Sequence, residues 1–428
     1  MGQKVINTLS KPNRFIFLIF LQLLLLNNSL FAYRLLVPMD STQTDHLKAY
    51  GLAFWSIKEL GNNVEWLLNY KGGSFLLEDD SRIYRKAELM GIYAKRVSVD
   101  TVQRIFQKIE ENNMERVLLN KAPRIAVYTP KGKEPWDDAV TLALTYAEIN
   151  YEKIYDAEIL TGKLNDYDWL HLHHEDFTGQ FGKFWASYRN YDWYRNSVTR
   201  ATIAAKKSGF KTVAAHKLRV AKIIKSYVSK GGLLFAMCSA CDSIDVALAA
   251  DGYDIIPQEI DGTPIEPNVG SKLKFDKTFS FKDFPLIFSP GIYEYSGIDY
   301  SNYGSGRPSN FRLFEFSAKF DIIPTLLTQN HTAIIPGFFG QTTSFKKKFL
   351  KEKIVILGEN NKEMTAKYIY GTLGKGFFTF YAGHDPADPS HVVGEGPTNL
   401  ALHKNSPGYR LILNNVLFPA AKKKERKT

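Results

Sequence analysis

The sequence predicts an α/β protein whose larger part is a doubly wound parallel sheet, and three observations carry that expectation. Short apolar runs alternate with segments of helical apolar spacing, the pattern of strands joined by crossover helices. Glycine pairs punctuate the pattern, as Gly231-Gly232 does between a long helical segment and the apolar run 233–237. Both cysteines, Cys238 and Cys241, sit in one C-x-x-C, so no disulfide framework holds the fold and an apolar core must.

A removable segment comes first. Lys4, Lys11 and Arg14 lead into the apolar run 15–26, and the polar residues Asn27, Asn28 and Ser29 precede Ala32, which is the order of a secretory signal. The run is shorter than the roughly 20 residues of a spanning helix, and no second long apolar stretch follows, so no stable membrane span is expected. Residues 1–32 are therefore read as a signal peptide cleaved before Tyr33, and the mature chain as exported, periplasmic or secreted. No Cys lies near the cut to take a lipid.

Of the 428 residues, those after the signal are more than one core usually accommodates, which points to two or three domains. Three bases and no acid leave with the signal, taking the formal charge from +11 to +8, and the basic tail 422–428 carries five bases and Glu425. The body is only mildly basic. It has no basic stripe and no nucleic-acid module, which excludes a nucleic-acid partner. The 29 Phe and 23 Tyr suit clefts for a small-molecule, carbohydrate or peptide ligand. The oligomeric state is left open.

The N-terminal α/β unit spans 33–120. Residues 34–38 read as a strand, 45–60 as a helix with Leu47, Tyr50, Phe54, Ile57 and Leu60 on one face, and 64–70 as a strand ending in Gly72-Gly73. Helices at 82–90 and 100–112 continue the alternation, which implies a parallel sheet here too. Lys121-Ala122-Pro123 marks a boundary.

The second unit, 121–251 with 371–421, restarts with strand 124–129, a helix at 137–149, a strand at 152–156 and a strand at 167–173. Trp169, Leu170 and Leu172 are expected to pack around the sheet while His171 and His173 point the other way. An aromatic, polar crossover at 177–194 leads to the helix 213–229, the strand 233–237 and a helix over 242–250. Residues 252–370 break the alternation with Pro, Gly and short β-like runs, and read as a β-rich insertion closing over one end of the sheet. Strand 376–382 and helix 406–420 complete the unit.

This order resembles the class I glutamine amidotransferase-like fold, of flavodoxin-like type, and within it the trehalose-utilisation (ThuA-like) branch. The likeness rests on Gly231-Gly232, the following strand and Cys238 at the strand-to-helix corner. It rests also on Gly374-Lys375-Gly376, His384-Asp385-Pro386 and Ser406-Pro407-Gly408-Tyr409-Arg410. The whole chain, including Asp40-Ser41-Thr42-Gln43-Thr44-Asp45 and residues 167–176, is similar to an exported family of Bacteroidota labelled "asparagine synthetase B". The chemistry in that label needs a Cys at the mature N-terminus and a Ser-Gly-Gly-x-Asp-Ser loop. Here the mature chain starts at Tyr33, and Cys241-Asp242-Ser243 is a different sequence.

Parallel sheets gather ligands at the carboxyl ends of their strands. Three such ends bring His173, His174 and Glu175 towards Cys238 and towards His384 with Asp385. A Cys at a helix start gains thiolate character, a nearby His serves as its base, and a carboxylate orients that His. The amidotransferase resemblance assigns Cys238 as nucleophile and His384 as base. The acid of that family stands two places after the His, where this chain has Pro386, so Asp385, Asp388 or Glu175 must take the role. The expectation is a hydrolase-like or amidase-like protein; the alternative is a non-catalytic ligand-binding or scaffold module in which Cys238 and Cys241 are packing residues. His171, His173 and His174 carry ligand atoms for a divalent metal. Residues 42–46 and 69–73 form a second polar surface, or equally a helix cap and a turn.

Overall fold

The computed structural model describes residues 33–130, 138–301, 308–390 and 393–422. Residues 1–32, read above as a signal peptide, and tail residues 423–428 lie outside the described residues. The chain is a mixed α/β protein with parallel and antiparallel sheet.

The N-terminal unit contains β1 (Arg34–Val37), α1 (His46–Leu60), β2 (Val64–Leu68), β3 (Ser74–Glu78), α2 (Ser81–Met90), β4 (Lys95–Val97), α3 (Val99–Glu111) and β5 (Glu115–Leu119). Its strands run in the order β4-β1-β3-β2-β5, and every neighbouring pair is antiparallel, against the expected parallel sheet. The cause is local. Asn69, Lys71, Gly72 and Gly73 all take positive φ, so the chain reverses after β2 and returns at once as β3. The crossover helix α1 does set β1 and β2 in one direction, but β3 is threaded between them. Asp45 caps α1 by accepting from the Lys48 amide, and Gly61 stops it in the left-handed region.

The second unit is built on β6 (Ile125–Tyr128), α4 (Ala139–Tyr146), β7 (Glu152–Ile154), α5 (Asp156–Leu160), β8 (Trp169–Leu172), α6 (Asp192–Lys207), α7 (Val213–Ser229), β9 (Leu233–Met237) and α8 (Ala240–Ala250). There follow β10 (Phe311–Leu313), β11 (Ile334–Ile335), β12 (Phe345–Lys346), β13 (Val355–Asn360), β14 (Thr365–Leu373), β15 (Gly376–Tyr381) and the closing helix α9 (Pro407–Leu417). Strands β7-β6-β8-β9-β15 lie side by side and are parallel. The same sheet continues through β14, β13, β10 and β11 in antiparallel pairs. Short strands of the 252–370 region thus widen the central sheet, while most of that region is turns and irregular structure.

Alternate residues serve opposite layers, as the two-residue repeat of a strand dictates. Val127, Trp169, Phe235 and Tyr381 face a core shared with α1, α4, α9 and the N-terminal unit. Tyr128, Leu170, Ala236 and Phe380 face a second core beneath α7 and α8. Trp169 therefore shares its face with His171, and the leucines take the other, which corrects the expected grouping. No helix among the described residues is long and apolar enough to cross a membrane.

Candidate functional site

The parallel strands end together at one edge, and chemistry-bearing residues collect there. Cys238 follows β9 immediately and takes φ 49°, a left-handed conformation that costs a residue with a Cβ. Three bonds hold the corner. The Cys238 amide donates to the Gly383 carbonyl (3.2 Å), the Ala240 amide to the His173 carbonyl (3.1 Å) and the Cys241 amide to the Cys238 carbonyl (3.2 Å). The result is a sharp strand-to-helix elbow that presents the sulfur above the sheet edge, as nucleophile elbows do. Cys238 is 3% exposed, and Cys241 is fully buried in the core; both are free thiols.

A loop over residues 336–344 covers the elbow. The Gln341 amide donates to Cys238 Sγ at 3.3 Å, and the Gln341 side chain ties to the carbonyls of Gly182 and Tyr293. Lys367 fastens the loop from below, its ammonium donating to the Phe338 and Thr343 carbonyls. Gly340 is required by close approach: a Cβ there would stand 2.6 Å from the His384 amide nitrogen.

Beside the thiol lies a chain of imidazoles whose proton positions follow from one carbonyl. His171 Nδ1 is 3.1 Å from the Phe235 carbonyl oxygen, which only accepts, so that nitrogen carries the proton. With all three rings neutral, His171 Nε2 then accepts from His173 Nδ1 (3.3 Å) and His173 Nε2 accepts in turn from His384 Nδ1 (3.0 Å). In that neutral state His384 Nε2 carries no proton, the state a general base requires. Burial raises the Cys238 thiol, but a hydrogen bond donated by the His384 imidazolium to the thiolate, together with that ring's positive charge, brings it below its ordinary value. Cys241, buried without such help, is pushed well above.

Behind the imidazoles stands Asp138, the N-cap of α4, which accepts from the Val140 and Thr141 amides. Its Oδ1 is 3.5 Å from His171 Nε2 and 3.6 Å from His173 Nδ1. Burial would raise this carboxyl, but His171 and His173 hold it far below the usual carboxylate range. It is thus the anion nearest the imidazole chain, a place that sequence reasoning assigned to Glu175, Asp385 or Asp388. Asp385 uses Oδ1 on the amides of Ala387 and Asp388, closing its own turn. Glu175 accepts from the His173 amide at 2.9 Å, and burial pushes its carboxyl up to about 8. Sequence reasoning missed Asp138, which it placed within the helix 137–149 and which instead caps that helix.

Among the described residues, two groups have suitable spacing for a divalent ion: His173, His174 and His384, and Asp138, His171 and His173, with ligand atoms within 4.8 Å of one another in each. The expected set His171, His173 and His174 is divided between them. Residues 42–46 and 69–73 do meet: His46 stacks on His331 at 4.4 Å, and the buried Arg410 donates to the Met39 and Gly72 carbonyls. Those bonds join the closing helix to the N-terminal unit.

No family model matches the chain, and no curated protein matches it. Among solved structures it is similar to two cytoplasmic proteins of Salmonella typhimurium, STM1381 of strain LT2 and STM3548. Each is 12% identical and matched over 70% of this chain and 100% of its own, with TM-scores of 0.37 and 0.34. It is also similar to Gan42B, a GH42 β-galactosidase, at 10% identity and TM-score 0.28 over 62% of this chain and 28% of that one. At TM-scores below 0.5 these likenesses carry no argument about fold or function.

Proposed function

We propose that this protein is an exported, cysteine-dependent hydrolase acting on an amide or ester, built on a flavodoxin-like fold of the class I glutamine amidotransferase type and akin to its ThuA-like branch. The fold assignment is supported by the strand order, since β7-β6-β8-β9-β15 is the 2-1-3-4-5 arrangement of doubly wound sheets, with the ligand edge at the strands' carboxyl ends. The single observation that carries the chemistry is the imidazole chain, which leaves His384 Nε2 bare beside an elbow thiol.

In this reading His384 takes the Cys238 proton, and the thiolate adds to the substrate carbonyl. The Gln341 amide, which already meets the sulfur, and the Ser239 amide, next after the nucleophile, stabilise the oxyanion. His384 returns its proton to the leaving amine or alkoxide as the carbon–heteroatom bond breaks, giving a thioester. Water then adds, His384 takes its proton and gives it to the departing thiolate, and a carboxylic acid leaves. His173 keeps the His384 ring oriented, and Asp138 stabilises positive charge passing through the chain.

Mixing the mature protein with p-nitrophenyl acetate tests this. The expected result is a burst of one p-nitrophenolate per chain and an acetyl group on Cys238 by peptide mass, absent from Cys238→Ser and unaffected by chelator. A second reading, a divalent ion on His173, His174 and His384, is favoured by their spacing. Stoichiometric metal in the purified protein, with hydrolysis abolished by chelator and retained in Cys238→Ser, would replace the thiol mechanism. Inertness towards acyl donors with and without metal would leave a ligand-binding module.

A further inference from the structure

A cavity of about 400 Å³ opens between α6, α7 and the 174–184 segment. Tyr155, Phe181, Phe184 and Trp193 give its wall aromatic faces among small and polar residues. Two lining residues present buried polar atoms with no hydrogen-bond partner among the described residues. Glu175, 6% exposed, leaves Oε1 unpaired, and His216, 1% exposed, leaves both ring nitrogens unpaired, with Asp156 3.8 Å from its Nδ1. Such atoms buried in an apolar wall cost free energy until a ligand bonds them.

The buried charges in the wall are already matched. Lys217 donates to Asp156 (2.9 Å) and to the hydroxyls of Tyr128 and Tyr155. Asp176 accepts from Thr178 and from the Gly182 amide. The cations Arg200 and Lys207 also line the cavity, both exposed. A ligand charge placed beside the buried rings would lose its water and meet no uncommitted buried counter-charge, so the buried part of the cavity suits an uncharged group with a flat apolar face and hydrogen-bonding substituents.

The cavity also borders the proposed catalytic residues. His174 lines it, and the His174 ring centroid is 6.0 Å from that of His384. Gly182, in its wall, accepts from the side chain of Gln341, whose amide meets Cys238 Sγ. We infer that this cavity is the specificity pocket of the enzyme and receives an uncharged aromatic side chain of an amide substrate, with Glu175 and His216 bonding the ring's polar substituent. The inference rests on the hydrolase reading for the word substrate; the binding itself does not.

The test separates the two. Cys238→Ser mature protein, which binds without turnover, is titrated calorimetrically with N-acetyl-L-tyrosinamide, with its charged relative N-acetyl-L-tyrosine and with maltose. Saturable one-to-one binding of the amide is expected, at least tenfold tighter than either of the others. Ala204→Trp, which fills the cavity from α6, and Glu175→Ala, which removes one inner partner, should each weaken the amide at least fivefold while far-ultraviolet dichroism stays unchanged. Binding retained in both variants, a carboxylate bound as well as the amide, or a preference for maltose overturns the assignment. Amide binding together with failure to acylate Cys238 would leave the pocket standing and remove only the chemistry.

Discussion

Replacing Cys238 by glycine and, separately, by alanine puts a sign on the backbone strain at the elbow. At φ 49° a residue with a Cβ crowds its own carbonyl, at a cost of about 1–2 kcal/mol. Glycine removes that cost but gives the unfolded chain extra freedom, which offsets about 0.4–1 kcal/mol of the gain. Both variants lose the same sulfur from a site that is 3% exposed, so the cavity and transfer contributions largely cancel between them. The glycine variant should therefore be the more stable by about 0.5–1 kcal/mol. An ordinary helical position gives the opposite sign: at Thr199, exposed on α6, glycine should be about 1 kcal/mol worse than alanine. Urea unfolding followed by intrinsic fluorescence, with a common slope for each pair, reads both differences. An alanine variant at 238 that equals or exceeds the glycine variant would refute the strained elbow, and with it the geometric basis for a presented thiol.

Asp138 does two jobs that one substitution can part. Asp138→Ser keeps a capping oxygen for the Val140 and Thr141 amides, so stability should fall by less than about 1 kcal/mol, while loss of the anion behind His171 and His173 should slow alkylation of Cys238 at pH 7 by about tenfold; equal reactivity would remove Asp138 from the mechanism. Burial, with Arg410 beside them, lowers His46 to about 4 and His331 to about 3 in the folded state, against an ordinary 6.5. Between those values the unfolded chain binds more protons than the folded one, so stability is full above about pH 6.5 and falls as the pH drops towards 4. The urea midpoint should track that fall, and His46→Gln should flatten it; a parallel decline in the variant would contradict the assignment.

Where local chemistry and tertiary demand agreed, the fold was legible in the sequence. Helix α7 and strand β9 begin and end as expected because Thr212 caps the helix and Gly231-Gly232 turns the chain between them. Strand β3 was not legible, because Gly72-Gly73 reads equally well as the end of a strand and as the pivot of a hairpin. Helix α6 went unread because few apolar residues mark its buried side, only Tyr194 and Ala205 being buried. Convergence of Cys238, His173 and His384 followed from strand ends alone. Gln341 could not be foreseen: it comes from a loop 103 residues beyond the thiol and acts through its backbone amide, which no side-chain pattern encodes. The sense of the imidazole chain was equally hidden, since it depends on the Phe235 carbonyl in a neighbouring strand.

The pH dependence of Cys238 alkylation tests the central claim most directly. Folded wild-type protein and His384→Gln are treated with iodoacetamide from pH 5 to 10, and adducts at Cys238 and Cys241 are counted by peptide mass. The account predicts that wild-type Cys238 reacts with a midpoint below the ordinary thiol value of 9.0, and that the midpoint rises by about one unit or more without His384. Cys241, fully buried and with its thiol pushed up, should stay unmodified. A Cys238 midpoint at or above 9.0 that is the same in both proteins, or no adduct at Cys238 while the protein stays folded, would contradict a thiol activated by His384.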